Sequence, residues 1–147
     1  MLKMKNITKL FLYLNLCLAL LACSKISPKG EIEVKDVTVE NFTKLNLKGD
    51  FKVFFAKGNQ NLVSVETYPN VYKNLDIEVE NGILTIEENR KTDQVDFYNI
   101  TIFGKNDLNE VSLSDKVEMN VSGQVKTPEF SLHLKGNSKF MGAVIAP

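Results

Sequence analysis

The stretch that decides the fold is LNLKGDFKVFF, residues 45–55. Apolar side chains occupy every second position on either side of Gly49: Leu45, Leu47, Phe51, Val53 and Phe55. This alternation is typical of β-strands that bury one face. A glycine within such a pattern marks a bend, so the stretch predicts two short strands joined at a corner.

The same pentapeptide pattern, Leu-x-Leu-Lys-Gly, returns in LHLKGNSKFMG, residues 132–142. A third copy is less regular: in VSLSDKVEMNV, residues 111–121, Asp115 occupies a position where the alternation requires an inward residue. Burying an unpaired carboxylate is costly, so we expect the chain to turn a corner at Asp115, as at Gly49 and Gly136.

These copies indicate a repeated strand–corner–strand unit. Aligning Leu113 with Leu134 gives an offset of 21 residues. Repeats of about 20 residues built from short strands are typical of a β-solenoid, which buries its apolar face by stacking coils. The pattern alone leaves a β-sandwich with bulges as an equal alternative.

The rest of the domain is also predicted to be β. Asn81-Gly82 lies between two alternating runs and predicts a type I′ hairpin. The loop AKGNQN, residues 56–61, predicts a second hairpin, and PNVYKNL, residues 69–75, predicts one helical turn at most. The first half of the domain is therefore expected to contain antiparallel hairpins.

The N-terminus predicts a lipoprotein signal. Three lysines in the first nine residues precede a predominantly apolar stretch of 13 residues, 10–22, which is shorter than the about 20 residues that span a bilayer. It ends in LLAC, which resembles the bacterial lipoprotein box, in which the cysteine, here Cys23, is lipidated. An ordinary signal peptide or an uncleaved anchor is the alternative. The predicted segments are a signal peptide (1–22), the lipidated Cys23 with a polar tether (23–36), and a β-domain (37–147).

Nothing in the composition points to catalysis. The formal net charge is zero and no basic cluster indicates a nucleic-acid partner. Cys17 lies in the signal, so the mature chain would keep a single cysteine, and His133 is the one histidine. No nucleophile–base pair, metal site or cofactor motif is apparent, and we expect no cofactor and no enzyme activity. Carboxylates that converge in space, as in carbohydrate-cleaving enzymes, stay open as an alternative.

Aromatic side chains are the candidate contact residues. Phe54 is out of phase with its buried neighbours, Tyr68 and Tyr72 flank the turn at Pro69, and Tyr98 lies in VDFYNI. Tyrosine combines an apolar ring with a polar tip and therefore suits protein or glycan contact. The alternative is that these rings seal the core.

The motifs together resemble those of the family known as "putative auto-transporter adhesin, head GIN domain". The resemblance covers residues 37–144 and rests on these positions in order: Phe42; Gly49, Phe51 and Val53; Gly58; residues 63–66; Gly82, Leu84 and Ile86; Gly136-Asn137-Ser138. It implies a right-handed β-helix-like fold in a secreted or lipid-anchored bacterial protein of a kind common in the Bacteroidetes. It implies no catalytic residues.

The expected function is that of a lipid-anchored binding or structural module of the cell envelope. Ser24 after Cys23 is compatible with the outer membrane, whereas the side of the membrane stays open. The expected partners are the membrane through the lipid, a glycan or an envelope protein, and a second copy. Family members usually continue through further coils, whereas this sequence ends at FMGAVIAP, so we expect self-association through the C-terminal coil or a truncated member.

Overall fold

The computed structural model describes residues 5–13 and 24–146. Residues 5–13 are helical and exposed. The second described range contains one short helix, Pro69–Tyr72, and these strands: β1 (Glu33–Thr38), β2 (Lys44–Gly49), β3 (Lys52–Lys57), β4 (Leu62–Thr67), β5 (Leu75–Glu80), β6 (Ile83–Glu88), β7 (Asn99–Gly104), β8 (Glu110–Asp115), β9 (Glu118–Lys126), β10 (Ser131–Leu134) and β11 (Lys139–Ile145). The protein is thus mostly β, as predicted.

The strands form two mixed sheets. Sheet I has the order β1-β4-β7-β3-β9-β11, and sheet II has the order β10-β8-β2-β6-β5. Four neighbouring strands in each sheet are parallel: β7, β3, β9 and β11 in sheet I, and β6, β2, β8 and β10 in sheet II. We call these eight strands the parallel stack. The remaining strands, β1, β4 and β5, pair antiparallel at one end of it.

The register of the parallel stack confirms the predicted repeat. Leu113 pairs with Leu47 on one side and with Leu134 on the other, so the offset of 21 residues between Leu113 and Leu134 is the observed one. The two Leu-x-Leu-Lys-Gly copies therefore occupy equivalent positions on either side of β8. In each copy the chain leaves sheet II and enters sheet I directly after the pentapeptide.

The predicted corners are also confirmed. Gly49, Asp115 and Gly136 all have positive φ, of 153°, 63° and 68°, where the chain passes between the sheets. Backbone hydrogen bonds connect successive corners: the amide of Lys116 donates to the carbonyl of Gly49 (2.9 Å), and the amide of Asn137 donates to that of Asp115 (2.7 Å). The approach is close, since a Cβ at Gly136 would lie 2.9 Å from the Asp115 carbonyl oxygen.

The core lies between the two sheets and consists of ladders of apolar residues. Leu45 and Leu47 of β2 face inward beside Val111 and Leu113 of β8, and all four are buried. On sheet I, Val53 is buried between its neighbours of β7 and β9. Burying each such side chain contributes about 1.5–3 kcal/mol, so these ladders are the main stabilising element.

One of the two predicted hairpins is confirmed and the other is wrong. β5 and β6 pair around Asn81 and Gly82, whose φ values of 52° and 74° are those of a type I′ turn. The loop at residues 56–61 forms no hairpin, because β7 lies between β3 and β4. Asn61 instead fixes the end of this loop. Its side chain is buried, donates to Asn41 Oδ1 (2.7 Å) and accepts from the Lys105 amide (3.0 Å).

The predicted tether is partly folded onto the domain, so the boundary predicted at residue 37 is wrong. Glu33–Thr38 forms β1 and pairs with β4, and Ile26 forms a bridge with Thr92. β1 was not predicted because almost all of its side chains are exposed at the edge of the sheet, so the segment shows no alternation of buried and exposed residues. The cleavage site and Cys23 lie outside the described residues.

Candidate functional site

Three of the four predicted contact residues reach the surface. Phe54 is 45% exposed on the outer face of β3, as its phase predicted. Tyr68 and Tyr72 are half-buried before and at the end of the short helix, and the Tyr68 hydroxyl donates to Asp96 Oδ1 (2.7 Å). That hydrogen bond raises the pKa of Tyr68. The contact role of these three residues stays a prediction, as does lipidation of Cys23, which lies outside the described residues.

Tyr98 is not a surface residue, and this prediction is wrong. Its side chain is 4% exposed, and its ring packs against Phe51 with centroids 5.4 Å apart. The signal was present in the sequence, because Tyr98 is in phase with the buried Ile100 and Ile102 of β7. The exposed aromatic residue of this pair is its neighbour Phe97.

Beside Tyr98, the corners of the parallel stack line a polar groove. Two hollows of about 480 and 490 Å³ share Asp50, Lys116 and Asn137, and we call them together the corner groove. Asp50 and Lys116 form an ion pair between successive corners, with 3.6 Å between Oδ2 and Nζ. Both side chains of this pair are largely exposed, so the pair contributes little to stability.

Glu88 places a partly buried carboxylate in the corner groove. Its Oε1 accepts the Asp50 amide, whereas Oε2 and the Tyr98 hydroxyl are buried without a hydrogen-bond partner among the described residues. Burial raises the pKa of Glu88, while hydrogen bonds from Asp50 and Thr92 oppose the rise. Burial, followed by the charge of Glu88, raises the pKa of Tyr98. Sequence alone could not find this environment, because Glu88 reads as one of several acids on a solvated strand.

The corner groove contains no candidate metal centre in the part of the chain that the structure describes. No group of three or more histidine, cysteine or acidic side chains there could hold a metal ion. His133 lies exposed on β10, at the opposite end of sheet II from β5. The raised pKa of Glu88 alone defines no reaction.

The second distinctive surface is the end of the stack formed by β10 and β11, which we call the open end. Each is the last strand of its sheet and has a hydrogen-bonded neighbour on one side. Its apolar side chains are unusually exposed: Leu132 39%, Leu134 48%, Met141 70% and Ile145 42%. Phe130 and Phe140 pack together beneath it with centroids 5.9 Å apart.

The two ends of the stack differ in how their edges are protected. β1 and β5 each carry three charged residues among six, a common means of preventing edge pairing. β10 carries no lysine, arginine or acid, and β11 carries Lys139 as its one charged residue. Among the described strands, β10 and β11 are therefore the edge strands with the least charge protection against pairing with another strand.

Comparison with protein families identifies one match. The family model described as "Putative auto-transporter adhesin, head GIN domain" matches residues 41–146. A comparison with curated proteins gave no match. Within the described ranges, no helix combines the length and apolar character needed to cross a membrane.

The fold is similar to that of several solved structures. A "putative adhesin" from Bacteroides fragilis superimposes with a TM-score of 0.72 at 16% identity, over 78% of this chain and 54% of the other. A "putative lipid binding protein" from Parabacteroides distasonis gives 0.71 at 20% identity, over 82% and 54%. A "putative adhesin" from Parabacteroides merdae gives 0.66 at 16% identity, over 75% and 46%. At these identities the similarity is one of fold, and the chain spans about half of the length of each structure.

Proposed function

The chain belongs to the head GIN domain family, and we propose that it is a lipid-anchored binding module of the cell envelope that acts without catalysis. Family membership supports an adhesin-like module at the cell envelope or surface. The lipid on Cys23 would hold the module at the membrane, and Ser24 favours the outer membrane. The parallel register of β2, β8 and β10 supports the view that the stack is a β-helix-like solenoid. Its right-handed sense is what the family resemblance implies.

The open end is the feature of the structure that best supports a binding function. Exposed backbone edges in both sheets, together with exposed Met141 and Leu134, match the requirements for strand addition. We propose a second copy of this chain as the partner. In an antiparallel pairing of two β11 strands, Lys139 of one copy would lie near Ile145 of the other, so the one charged residue of each strand would not face its counterpart.

Self-association is tested with charged substitutions at the open end of the full-length chain. The double variant Met141→Lys/Ile145→Lys places like charges on the proposed contact surface. Val34→Lys is the matched control, because Val34 is 61% exposed on β1 at the other end of the stack. In analytical ultracentrifugation we expect dimers for the parent chain and the control, and monomers for the double variant.

A monomeric parent chain at all concentrations would contradict self-association. In that case a glycan array and a pull-down of envelope proteins identify which other occupant the open end takes. If the parent chain binds one of these partners and Met141→Lys/Ile145→Lys does not, the open end is still a binding surface. Its partner is then a glycan or an envelope protein and not a second copy.

The anchor has its own test. Cys23→Ser removes the sulfur that would carry the lipid, so we expect unprocessed precursor or release of the protein from membranes. Incorporation of a labelled fatty acid by the parent chain and none by the variant would support the anchor. Unchanged fractionation of Cys23→Ser would exclude the anchor. Protease treatment of intact cells is a separate experiment, which decides the side of the membrane on which the parent chain lies.

A carbohydrate-cleaving enzyme is the second candidate, because Glu88 combines a raised pKa with a position in an open groove beside Asp50. A hydrolase and lyase screen of the full-length chain tests it. Turnover that is lost in both Glu88→Gln and Asp50→Asn would reverse the order of the two candidates.

A further inference from the structure

Basic residues are concentrated where three segments of the chain meet. Residues 24–30, 69–74 and 89–93 contain five basic residues and one acid, Asp93. The remainder of residues 24–147 contains ten basic and seventeen acidic residues. All five basic side chains are exposed, and none takes part in the six ion pairs found among the described residues: Lys25, Lys29, Lys73, Arg90 and Lys91. We call this surface the basic face.

The first of these segments is held on the domain by the other two. The Ile26 amide donates to the carbonyl of Lys91, and the Asp93 amide donates to that of Ile26, both at 2.9 Å. The guanidinium of Arg90 donates to the carbonyl oxygen of Ser24 (2.9 Å) and to its hydroxyl. Residues 24–26 therefore have a defined place beside residues 90–93.

Two asparagines complete the attachment. Asn70 donates to the Ser27 carbonyl (2.7 Å) and accepts the Lys29 amide (2.9 Å), which fixes residues 27–29 against the short helix. Asn74 is buried, donates to the Arg90 carbonyl (2.6 Å) and accepts the Arg90 amide (3.0 Å). The three segments of the basic face thus form one connected surface.

We propose that the basic face is a docking surface for anionic lipid headgroups and that it fixes the orientation of the domain on its membrane. The inference rests on the proposed lipid anchor, because Ser24 follows Cys23 directly and an anchored Cys23 would bring Ser24 to the bilayer surface. A lipid chain combined with a basic cluster gives much stronger membrane attachment than either signal alone.

We expect this orientation to keep the open end clear of the membrane, because the basic face and the open end are separated along sheet II. Two segments of the basic face, residues 69–74 and 89–93, follow β4 and β6, and residues 24–30 lie against them. The open end begins three strands further along sheet II than β6, at β10. With a strand spacing of about 4.8 Å, β6 and β10 lie about 14 Å apart. The docked domain would therefore present its unprotected edges to partners instead of to lipid.

The test uses the full-length, lipid-anchored chain reconstituted into vesicles that carry a headgroup-linked quencher. The vesicles consist of phosphatidylcholine with or without phosphatidylglycerol. One fluorophore is attached through Ser27→Cys at the basic face, or through Met141→Cys at the open end. In the anionic vesicles we expect strong quenching of the probe at residue 27 and little quenching of the probe at residue 141.

Charge reversal supplies the matched control. Lys25→Glu/Lys29→Glu/Lys91→Glu is expected to lose most of the quenching at residue 27. Lys52→Glu/Lys105→Glu/Lys135→Glu changes the net charge equally at exposed lysines outside the basic face and is expected to retain it. Circular dichroism of each variant checks that it is folded.

The outcomes separate this inference from the anchor itself. A chain that fails to float with the vesicles contradicts the anchor and overturns both proposals. A chain that floats, but whose probe at residue 27 is quenched no more than that at residue 141, overturns the docking surface alone. Equal loss of quenching in the two triple variants does the same.

Discussion

Leu47 and Leu134 lie on opposite sides of Leu113, at one level of sheet II. They are the third residues of two copies of the same pentapeptide pattern, yet Leu47 is fully buried whereas Leu134 is 48% exposed. The difference arises because β2 lies between two strands, whereas β10 has a neighbour on one side. Position in the stack, and not the motif, decides how much each copy contributes to stability.

We therefore expect unequal effects of the same substitution. Leu47→Ala should lower the free energy of unfolding by about 2–5 kcal/mol, because it leaves a cavity in the core. Leu134→Ala should lower it by less than about 1 kcal/mol, as at other surface positions. Urea denaturation followed by circular dichroism, at a concentration at which the chain is monomeric, measures both. Equal losses for the monomer would mean that other residues of the chain cover β10.

Gly136 and Gly123 separate two reasons why a position requires glycine: a positive φ and the lack of space for a Cβ. Both have positive φ, 68° and 80°, so alanine at either should cost about 1–2 kcal/mol. A Cβ at Gly136 would also lie 2.9 Å from the Asp115 carbonyl oxygen, whereas nothing lies within 4 Å of a Cβ at Gly123. We expect Gly136→Ala to be the more destabilising of the two.

Amide hydrogen exchange locates this effect. The amide of Asn137 donates to the Asp115 carbonyl, so its protection should fall in Gly136→Ala and stay unchanged in Gly123→Ala. Equal protection in both variants would mean that the corner relaxes to accommodate the methyl group.

The corners and the repeat could be predicted because they depend on local rules. Alternating apolar residues define the strands, and Gly49 and Asp115 interrupt that alternation where the chain must bend. The order of the strands could not be predicted in the same way. Insertion of β7 between β3 and β4 is decided by packing between distant segments, and an alternating pattern does not specify which strand lies beside it.

The surface features were harder to predict for a related reason. The basic face is formed by three separated segments, each with only one or two basic residues. Hydrogen bonds from Asn70 and Asn74 bring these segments together, and neither asparagine stands out in the sequence. Tyr98 was misplaced for a simpler reason, since its phase relative to Ile100 already predicted burial.

Removal of the buried Tyr98 hydroxyl should stabilise the protein, whereas most core substitutions destabilise it. The hydroxyl is buried without a hydrogen-bond partner among the described residues, so the folded state bears the cost of removing it from water. Tyr98→Phe retains the ring contact with Phe51 and removes that cost. We expect a higher melting temperature, by a shift that corresponds to up to about 1–3 kcal/mol.

Tyr68→Phe is the control for this prediction. Its hydroxyl donates to Asp96 Oδ1 at 2.7 Å, so its removal should leave stability unchanged or slightly lower. If Tyr98→Phe destabilised the protein, the buried hydroxyl would have to be satisfied in solution.

The contributions of Glu88 and Asp107 to the free energy of unfolding should change with pH in opposite directions. Burial raises the pKa of Glu88 above its ordinary value of 4.5, so the folded protein retains a proton that the unfolded chain has already lost. Its contribution to the free energy of unfolding is complete below pH 4.5 and is lost as the pH rises through the folded pKa. Glu88→Gln removes this dependence and retains an oxygen that can accept the Asp50 amide.

Asp107 follows the reverse course. Its hydrogen bond from Lys57, at 2.9 Å, lowers the pKa below its ordinary value of 3.8, although partial burial opposes this. Its contribution is complete above pH 3.8 and is lost as the pH falls through the folded pKa. The free energy of unfolding of the parent chain, relative to Asp107→Asn, should therefore rise with pH in the acidic range. Relative to Glu88→Gln, it should fall as the pH rises above 4.5. Urea denaturation across a pH series measures both differences, and a difference from Glu88→Gln that did not change with pH would mean that solvent reaches the Glu88 carboxylate.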